Sequence, residues 1–487
     1  MRVRVADINA ALSERGLLVG VHGKLPAEAS GISDDSRKVQ RGDLFIAVRG
    51  WNSDGHDFLD DAAQRGATAA IVEDSGRTSL PSLVVREGRR AAALAAATAY
   101  DDPARNLIVL GATGTNGKTT TTSIMRHLFD DGAGSSASIG TLGVLAGSEG
   151  EVLPGGGGLT TPGPVELQRI LRELVKRGVR TVAMEVSSHS LDQRRVDGLE
   201  FDVAIFTNLT RDHLDYHGTM DAYLKAKVRL LDYLKGDGTV VINADAPEWR
   251  ALVTRARKLT FAVRGGADVR AQEVRYTSRG SEWRLVTPRG SAEVTLPLIG
   301  EVNVENGLAA AASAFALGQT PEAIAARLRT VPQVAGRLEI ISTRPTVLRD
   351  YAHTPDALER SLRTARAFTR GKLIVVFGCG GDRDKGKRPV MGEIAERGAD
   401  CAIVTSDNPR TEDPDAIIDD IEAGMRGSNH QRITDRLAAI QRAIELAEDS
   451  DIVLLAGKGH ETYQVRGTTS YPFDEKEIVK EMTGSHA

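Results

Sequence analysis

The stretch NLIVLGATGTNGKTTTTSIMRHLF, residues 106–129, constrains this chain more than any other. An apolar run leads into a glycine-rich turn and then into a helical segment. In that setting successive backbone N–H groups and a helix N-terminus cradle phosphates. Within ATGTNGKTT, Lys118 is placed to reach the outer phosphates and Thr119 to hold Mg²⁺, with Gly114, Thr115, Asn116, Gly117 and Thr120 completing the cradle. The first position of the strict spacing is Ala112 rather than glycine, a departure softened by Gly111 and Gly114. Glycine-rich turns also serve as plain structural punctuation, but the Lys-Thr pair in register favours nucleoside triphosphate binding.

A strand, turn and helix of this kind imply an α/β fold, and the flanking sequence extends it. TVAMEVSS, VAIFTNL and TVVINAD are further apolar strands, so a doubly wound, mostly parallel central sheet is expected. Residues 1–104 hold short strands such as DLFIAV and AAIVE and a helix-prone RRAAALAAATAY that ends at DDP, which marks a small separate α/β domain. Between 263 and 300 the chain alternates polar and apolar residues with turn signals, predicting antiparallel strands, and NVENGLAAAASAFALG closes the unit as a helix. KLIVVFGCGG, CAIVTSDNP and DIVLLAGKGH then predict a C-terminal Rossmann-like domain. The expected domains are therefore 1–104, 105–335 and 336–487, in keeping with 487 residues being more than one core organises. GSEGEVLPGGGG, within 147–158, is a local glycine-rich loop with no assigned role.

Composition excludes several classes. A net charge of -4, with 41% hydrophobic and 26% charged residues, gives no nucleic-acid surface, so anionic ligands must be handled locally. Two cysteines, Cys379 and Cys401, are too few for a disulfide framework and are expected to be buried, inert thiols in a reducing cytoplasm. The start, MRVRVADINAAL, lacks a long apolar segment and no run is long enough to span a membrane. A soluble cytoplasmic protein is expected.

Chemistry-bearing residues cluster at predicted strand ends. Glu185 closes TVAME, and VAIFTNL runs into TRDHLDYHG, bringing Asp212, His213, Asp215 and His217 to the same edge. This is not HExxH, and Gly218 breaks the helix such a motif needs; His213 alone reads more readily as a loop hydrogen-bonder, and only a nucleotide-bound Mg²⁺ beside it shifts the balance. In DAYLKAKVRLLDYL, residues 221–234, Lys227 falls within a stripe formed by Leu224, Val228 and Leu231, while Lys225 and Arg229 point away. A snorkelling lysine is one reading. The other is a buried neutral amine able to add CO₂ and become a carbamate, an oxygen ligand for Mg²⁺ beside Glu185 and His213. In the last domain GCGGDRDKGKRP lacks the third glycine of a dinucleotide fingerprint, with Arg383 in its place, so NAD binding is rejected. SDNPRTEDP and GKGHE end two other strands of that sheet, so Arg383, Asp407, Asn408, Arg410 and Glu461 can converge on a crevice suited to a zwitterion.

GTNGKTT, EVSSH, RDHLDYHG, the AK of KAKVRLL, NVENGLAA, GRLE, DYAHTPD, GCGGDRDKGKRP, DNPR and GKGHE together resemble the Mur ligases over nearly the whole chain. The resemblance points to the branch that adds the third residue of the peptidoglycan stem. It implies an ATP-dependent, ADP-forming acid–amino-acid ligase whose substrates are UDP-N-acetylmuramoyl-L-alanyl-D-glutamate, meso-2,6-diaminopimelate and ATP. A monomer is expected, though the sequence does not fix the oligomeric state. The resemblance assigns catalysis to Lys118, Glu185, His213 and Lys227, Mg²⁺ to Thr119, Glu185, His213 and a carbamylated Lys227 (N6-carboxylysine). The adenosine side falls to Asn303, Asn306, Arg337, Asp350 and His353. The UDP-muramoyl dipeptide falls to Ser36, Thr160, Thr161, Ser187, Gln193 and Arg195. Diaminopimelate falls to Arg383, Asp407, Asn408, Pro409, Arg410, Gly457 and Glu461. Leu159 departs from relatives that carry Asn before the Thr-Thr pair. Two rivals stay open: a folylpolyglutamate synthetase, against which DNPR and the N-terminal domain argue, and a P-loop ATPase switch that ligates nothing. A non-enzymatic binding module is disfavoured by Lys118, Glu185, His213 and Lys227 occurring together.

Overall fold

A computed structural model describes residues 2–50, 53–156, 158–250, 252–277 and 279–484. By packing the chain forms two compact units, Met1–Thr260 with Ala312–Gly318, and Phe261–Ala311 with Gln319–Ala487. The architecture is α/β throughout, with a small N-terminal sheet, a central P-loop sheet and a C-terminal Rossmann-like sheet.

In the first unit the N-terminal sheet runs in the order Leu18–His22, Ser82–Val85, Ala69–Val72, Leu44–Ala47, Ile32–Ser33. All pairs are parallel except the first. The helix Gly88–Ala99 covers it with Ala91, Ala92, Ala95, Ala96 and Ala99, whose small side chains let helix and sheet approach closely. The central sheet places Ile108–Thr113 between Thr181–Glu185 and Phe201–Phe206, all parallel. Leu234–Asn243 follows beyond Phe201–Phe206; on the other side lies Ser136–Gly140, then Gly143–Ala146 antiparallel to it, then Glu151–Leu153 antiparallel to Gly143–Ala146. Register matters here. Ala112 faces Glu185 on one neighbour and Ile205 on the other, so three strand ends open into one crevice, where doubly wound sheets bind ligands.

The second unit begins with the antiparallel meander Val269–Thr277, Gly280–Thr287 and Gly290–Leu296. Its C-terminal sheet runs Glu339–Thr343, Thr346–Asp350, Ile452–Ala456, Leu373–Phe377, Cys401–Val404, His430–Arg432. Only the first pair is antiparallel. The near-continuous apolar strands follow from burial on both faces. Leu373, Val375 and Phe377 pack with the helices Pro355–Arg366, Lys387–Gly398 and Pro414–Glu422. Ile374 and Val376 pack with Arg436–Leu446 and Val479 of Glu475–Thr483 on the reverse face.

One buried ion pair ties this domain together. Arg436 and Glu475 are both fully inaccessible and 2.8 Å apart, and the Arg436 guanidinium also donates to Ala456 O at 3.0 Å, at the end of a site-bearing strand. Removing one partner strands a buried charge, a loss of about 3–5 kcal/mol. Glu475→Ala is therefore expected to lower the unfolding free energy from denaturant titration by that amount, and a value within about 0.5 kcal/mol of the parent contradicts it.

Two expectations need correction. The helix predicted over 221–234 ends at Val228 and continues as a tighter 3₁₀ turn, Arg229–Tyr233. Its most buried residues, Tyr223, Ala226, Lys227 and Leu230, recur at regular helical spacing, and Lys227 belongs to that face; Leu224, Val228 and Leu231 lie at its edge and are half-buried. Of the cysteines, Cys379 is buried but Cys401, at the start of its strand, is half-buried; both are free, and burial raises both thiols. No helix among the described residues is long and apolar enough to cross a membrane.

Candidate active site

The turn after Ile108–Thr113 is built by its own glycines and by the neighbouring strand end. Gly114, at φ 149°, lies so close to Thr207 that a Cβ would sit 1.9 Å from its hydroxyl oxygen, so only glycine fits. Thr115 N donates to Asn208 O and Asn116 N to Asn208 Oδ1, both at 2.8 Å, while Thr207 Oγ1 donates to Asn116 O at 2.7 Å. Gly117, at φ 87°, then starts the helix Lys118–Phe129, in whose first turn Thr119 and Thr120 are buried. Asn208 had no signal in the sequence beyond following an apolar run.

Two lysines meet on this turn. Lys118 Nζ donates to Gly114 O at 2.9 Å and Thr115 O at 2.8 Å, and Lys227 Nζ donates to the same Gly114 O at 2.8 Å. Lys227 is 1% exposed and lies 4.3 Å from the centre of the Tyr223 ring, whose hydroxyl is 3.2 Å from Thr115 Oγ1. Burial, reinforced by the Lys118 charge, drives the Lys227 ammonium well below the ordinary lysine range.

Glu185 stands at the end of its strand, 1% exposed. Thr141 N donates to its Oε1 at 2.8 Å, and Thr141 Oγ1 lies 3.3 Å from both Glu185 Oε2 and Thr160 Oγ1. Thr161 Oγ1 donates to Glu185 O at 2.9 Å and accepts from Ser187 N at 3.1 Å. Thr160, Thr161 and Ser187 thus form one network with Glu185, through a Thr141 that sequence reasoning passed over. His213, in the left-handed region at φ 52°, packs edge-on against His189 with ring centres 4.7 Å apart. His189 is itself pushed down to about 4 by burial and then by His213 and His217, which keeps this cluster of rings neutral near pH 7 on the His189 side.

Among the described residues no three His, Cys, Asp or Glu side chains form a ready-made metal cage. A single buried carboxylate beside a phosphate-cradling turn is instead what Mg²⁺ uses, since it keeps waters and takes substrate phosphates as ligands. The oxygen donors Thr119 and Glu185, with His213, fit that ion.

Ser36, Gln193 and Arg195 line a cavity of about 690 Å³ in the same unit. Arg195 donates to Gln193 Oε1 at 2.7 Å and to Thr161 O at 3.0 Å, which links the cavity to the Glu185 network.

In the second unit, the C-terminal strand ends carry another crevice. Asn408 Nδ2 donates to Glu461 Oε2 at 2.8 Å, while Asn408 Oδ1 accepts from Lys458 Nζ at 3.1 Å and Val465 N at 2.9 Å. Lys458 is fully buried and was not singled out in the sequence, although it sits inside GKGHE. Asp407 Oδ2 is a buried oxygen without a hydrogen-bond partner among the described residues, and a Cβ on Gly457 (φ 115°) would approach it to 2.7 Å. Arg410, at φ 52°, donates to Gly381 O at 2.9 Å, and both Arg410 and Arg383 flank Gly380. The glycines of GCGG have a structural reason: a Cβ at Gly381 would meet Pro409 O at 1.9 Å. They let the DNPR loop lie on the strand end.

The same unit holds the residues expected around adenosine. Asn303 Nδ2 donates to Ile299 O at 2.9 Å and Asn306 Nδ2 to Asn303 Oδ1 at 3.2 Å. Asp350 accepts from Leu338 N at 2.7 Å and Ser361 Oγ at 2.8 Å. The Arg337 guanidinium lies 5.0 Å from the centre of the Tyr351 ring, and His353 Nδ1 is 2.8 Å from Tyr351 O.

A turn that cradles phosphates and a separate crevice of mixed charge serve one kind of chemistry, in which a nucleotide energises a carboxylate that an amine then takes; the chain is an ATP-dependent amide ligase. Family models match along its length: the Mur ligase family catalytic domain at 28–106, the Mur ligase middle domain at 112–314 and the Mur ligase glutamate ligase domain at 336–459. The chain belongs to the Mur ligase family. It is 44% identical, over 92% of its length and 93% of the relative's, to a UDP-N-acetylmuramoyl-L-alanyl-D-glutamate–2,6-diaminopimelate ligase from Geobacillus kaustophilus. With the protein of that name from Synechococcus elongatus it shares 45% identity over 94% of this chain and 95% of the other. A solved structure with this enzyme name matches at TM-score 0.71 and 34% identity, covering 99% of both chains. Folylpolyglutamate synthase from Mycobacterium tuberculosis shares the fold at TM-score 0.64 and 17% identity, over 82% of this chain.

Proposed function

We propose that the chain joins meso-2,6-diaminopimelate to UDP-N-acetylmuramoyl-L-alanyl-D-glutamate, with ATP converted to ADP and phosphate, in the cytoplasmic assembly of peptidoglycan precursors. Residues 1–104 take the UDP end, 105–335 take ATP and 336–487 take the diamino acid. The observation that carries this is the C-terminal crevice, where an unpartnered Asp407 oxygen, the Asn408–Glu461 pair and the Arg383 and Arg410 guanidiniums offer both charges to one zwitterion.

A carboxylate is a poor electrophile. Its γ-carboxylate oxygen attacks the ATP γ-phosphorus, ADP leaves, and an acyl phosphate forms. The diaminopimelate amine then attacks the acyl carbon, phosphate leaves with the acyl C–O pair, and the amine loses a proton. Lys118 offsets charge on the moving phosphoryl group, and Gly114–Thr120 hold its oxygens with backbone N–H groups. Asn303, Asn306, Arg337, Asp350 and His353 hold the adenosine. Ser36, Thr160, Thr161, Ser187, Gln193 and Arg195 fix the UDP-muramoyl dipeptide so that its carboxylate lies in line. Arg383, Asp407, Asn408, Pro409, Arg410, Gly457 and Glu461 present the amine, and alignment supplies much of the rate. Thr119, Glu185, His213 and a carbamate on Lys227 would hold Mg²⁺, which would supply neutralisation of phosphate charge.

The test is ADP release with the UDP-muramoyl dipeptide and a panel of diamino acids. A crevice built to pair a second carboxylate rejects the analogue that lacks it, so meso-diaminopimelate is expected to exceed L-lysine by about 10²-fold or more in kcat/KM. Equal rates with L-lysine would overturn the specificity.

A further inference from the structure

The charges around the 690 Å³ cavity do not balance internally. Arg37, Arg49, Arg89 and Arg195 all line it, with Asp34, Asp35 and Asp61. Most of these have partners. Arg37 is paired with Asp35 at 2.9 Å, and Asp61 with Arg65 at 3.3 Å. Arg49 comes no nearer than 3.9 Å to Asp54, whose oxygens already accept from His56 and Arg77. Among the described residues Arg195 donates only to the neutral acceptors Gln193 Oε1 and Thr161 O. Arg89 donates its Nε to Arg49 O at 3.0 Å, and among the described residues its two terminal nitrogens bond to nothing.

We infer that Arg89, with Arg49 beside it, is the arm of this cavity that grips the diphosphate of a nucleoside diphosphate ligand, a specificity-determining residue that rests on the reading of the cavity as the UDP-substrate site. Three features support it. A guanidinium fixed through Nε presents its two remaining nitrogens as a fork, the geometry that matches phosphate oxygens. The helix Gly88–Ala99 carries Arg89 in its first turn, so the positive end of that helix adds to the same field. The Arg195 guanidinium is lowered first by burial and also by the Arg89 charge, so two unbalanced cations act on one another across this wall until an anion enters. Arg49 and Arg89 also line a smaller cavity of about 310 Å³ with Arg90 and Arg194, and that wall carries its own carboxylates, Glu73 and Glu87. There the cations are already committed: Arg90 and Arg194 lie 3.5 and 3.7 Å from Asp197, which leaves the larger cavity as the one that lacks an anion.

Titration calorimetry of the full chain with UDP, UMP and uridine tests this in the parent, Arg89→Gln and Arg89→Lys. The parent is expected to bind UDP more tightly than UMP and UMP more tightly than uridine. Arg89→Gln is expected to weaken UDP about tenfold and leave uridine unchanged, the loss of one charge-assisted contact. Arg89→Lys, which keeps the charge but not the fork, falls between. In turnover, KM for the UDP-linked substrate rises while KM for ATP and for the diamino acid stay put, a split that a general folding defect would not produce. A ratio of UDP to uridine affinity in both variants equal to the parent's overturns the role of Arg89 and leaves the cavity's assignment intact. A parent that ligates yet binds neither UDP nor uridine overturns both.

Discussion

Lys227→Ala is expected to cut ligase turnover on the order of 10³-fold, the scale of losing a group that stabilises transition-state charge. The reason lies in where the amine sits. It is 1% exposed, bonded to Gly114 O at 2.8 Å, and depressed by burial and then by Lys118. On the proposed carbamylation a neutral amine would add CO₂, forming one N–C bond and releasing one proton, and the product would be an anionic oxygen ligand. Intact-protein mass spectrometry under native conditions is expected to show one added CO₂ that disappears in Lys227→Ala, and excess bicarbonate is expected not to rescue that variant. Stability supplies an independent check in CO₂-free buffer. The folded pKa of Lys227 lies below its unfolded value of 10.5, so between the two the unfolded chain binds more protons and stability rises with pH. Lys227→Met is expected to remove that slope, to unfold at higher denaturant than the parent near neutral pH, and to be inactive. Full activity in Lys227→Ala contradicts the role.

Lys118→Ala is expected to lower kcat by about 10²–10³-fold with KM for the diamino acid unchanged. Its amine leans on Gly114 O and Thr115 O at the mouth of the turn, on the loop that takes the phosphates and in a different unit from the C-terminal crevice. Arginine is not an adequate substitute, since a planar fork cannot occupy the point position of an ammonium above two carbonyls. Single-turnover phosphate release checks this: the defect must appear in the first turnover. A normal first turnover with slow later ones would place Lys118 in product release instead.

The turn at 112–120 was legible because its chemistry is contiguous: strand, glycines, Lys-Thr and helix stand in one run. Strand ends were legible for the same reason, since Glu185, the DNPR loop and GKGHE each terminate an apolar run. What escaped depends on contacts distant in sequence. Lys458 reads as a surface charge until Asn408 and Glu461 close on it at 3.1 and 3.3 Å. Arg89 is one arginine among several in REGRRAAAL, and only packing of its helix brings it to a cavity shared with Arg195. Thr141 and Asn208 act through neighbouring strands. The stripe through Lys227 was placed on Leu224, Val228 and Leu231, whereas the buried face runs through Tyr223, Ala226, Lys227 and Leu230; both sets have helical period, and only packing separates them. The edge strands and the hairpin Tyr463–Arg466 with Thr469–Pro472 lack the apolar runs that marked the central strands.

Oxygen transfer tests the central claim most directly. With the γ-carboxylate of the UDP-linked dipeptide labelled with ¹⁸O, and unlabelled ATP and water, activation by phosphorylation requires one labelled oxygen to leave with the phosphate. Mass analysis of that phosphate is expected to show the label in proportion to amide formed. Phosphate carrying only unlabelled oxygen, released while the amide forms, would contradict the account.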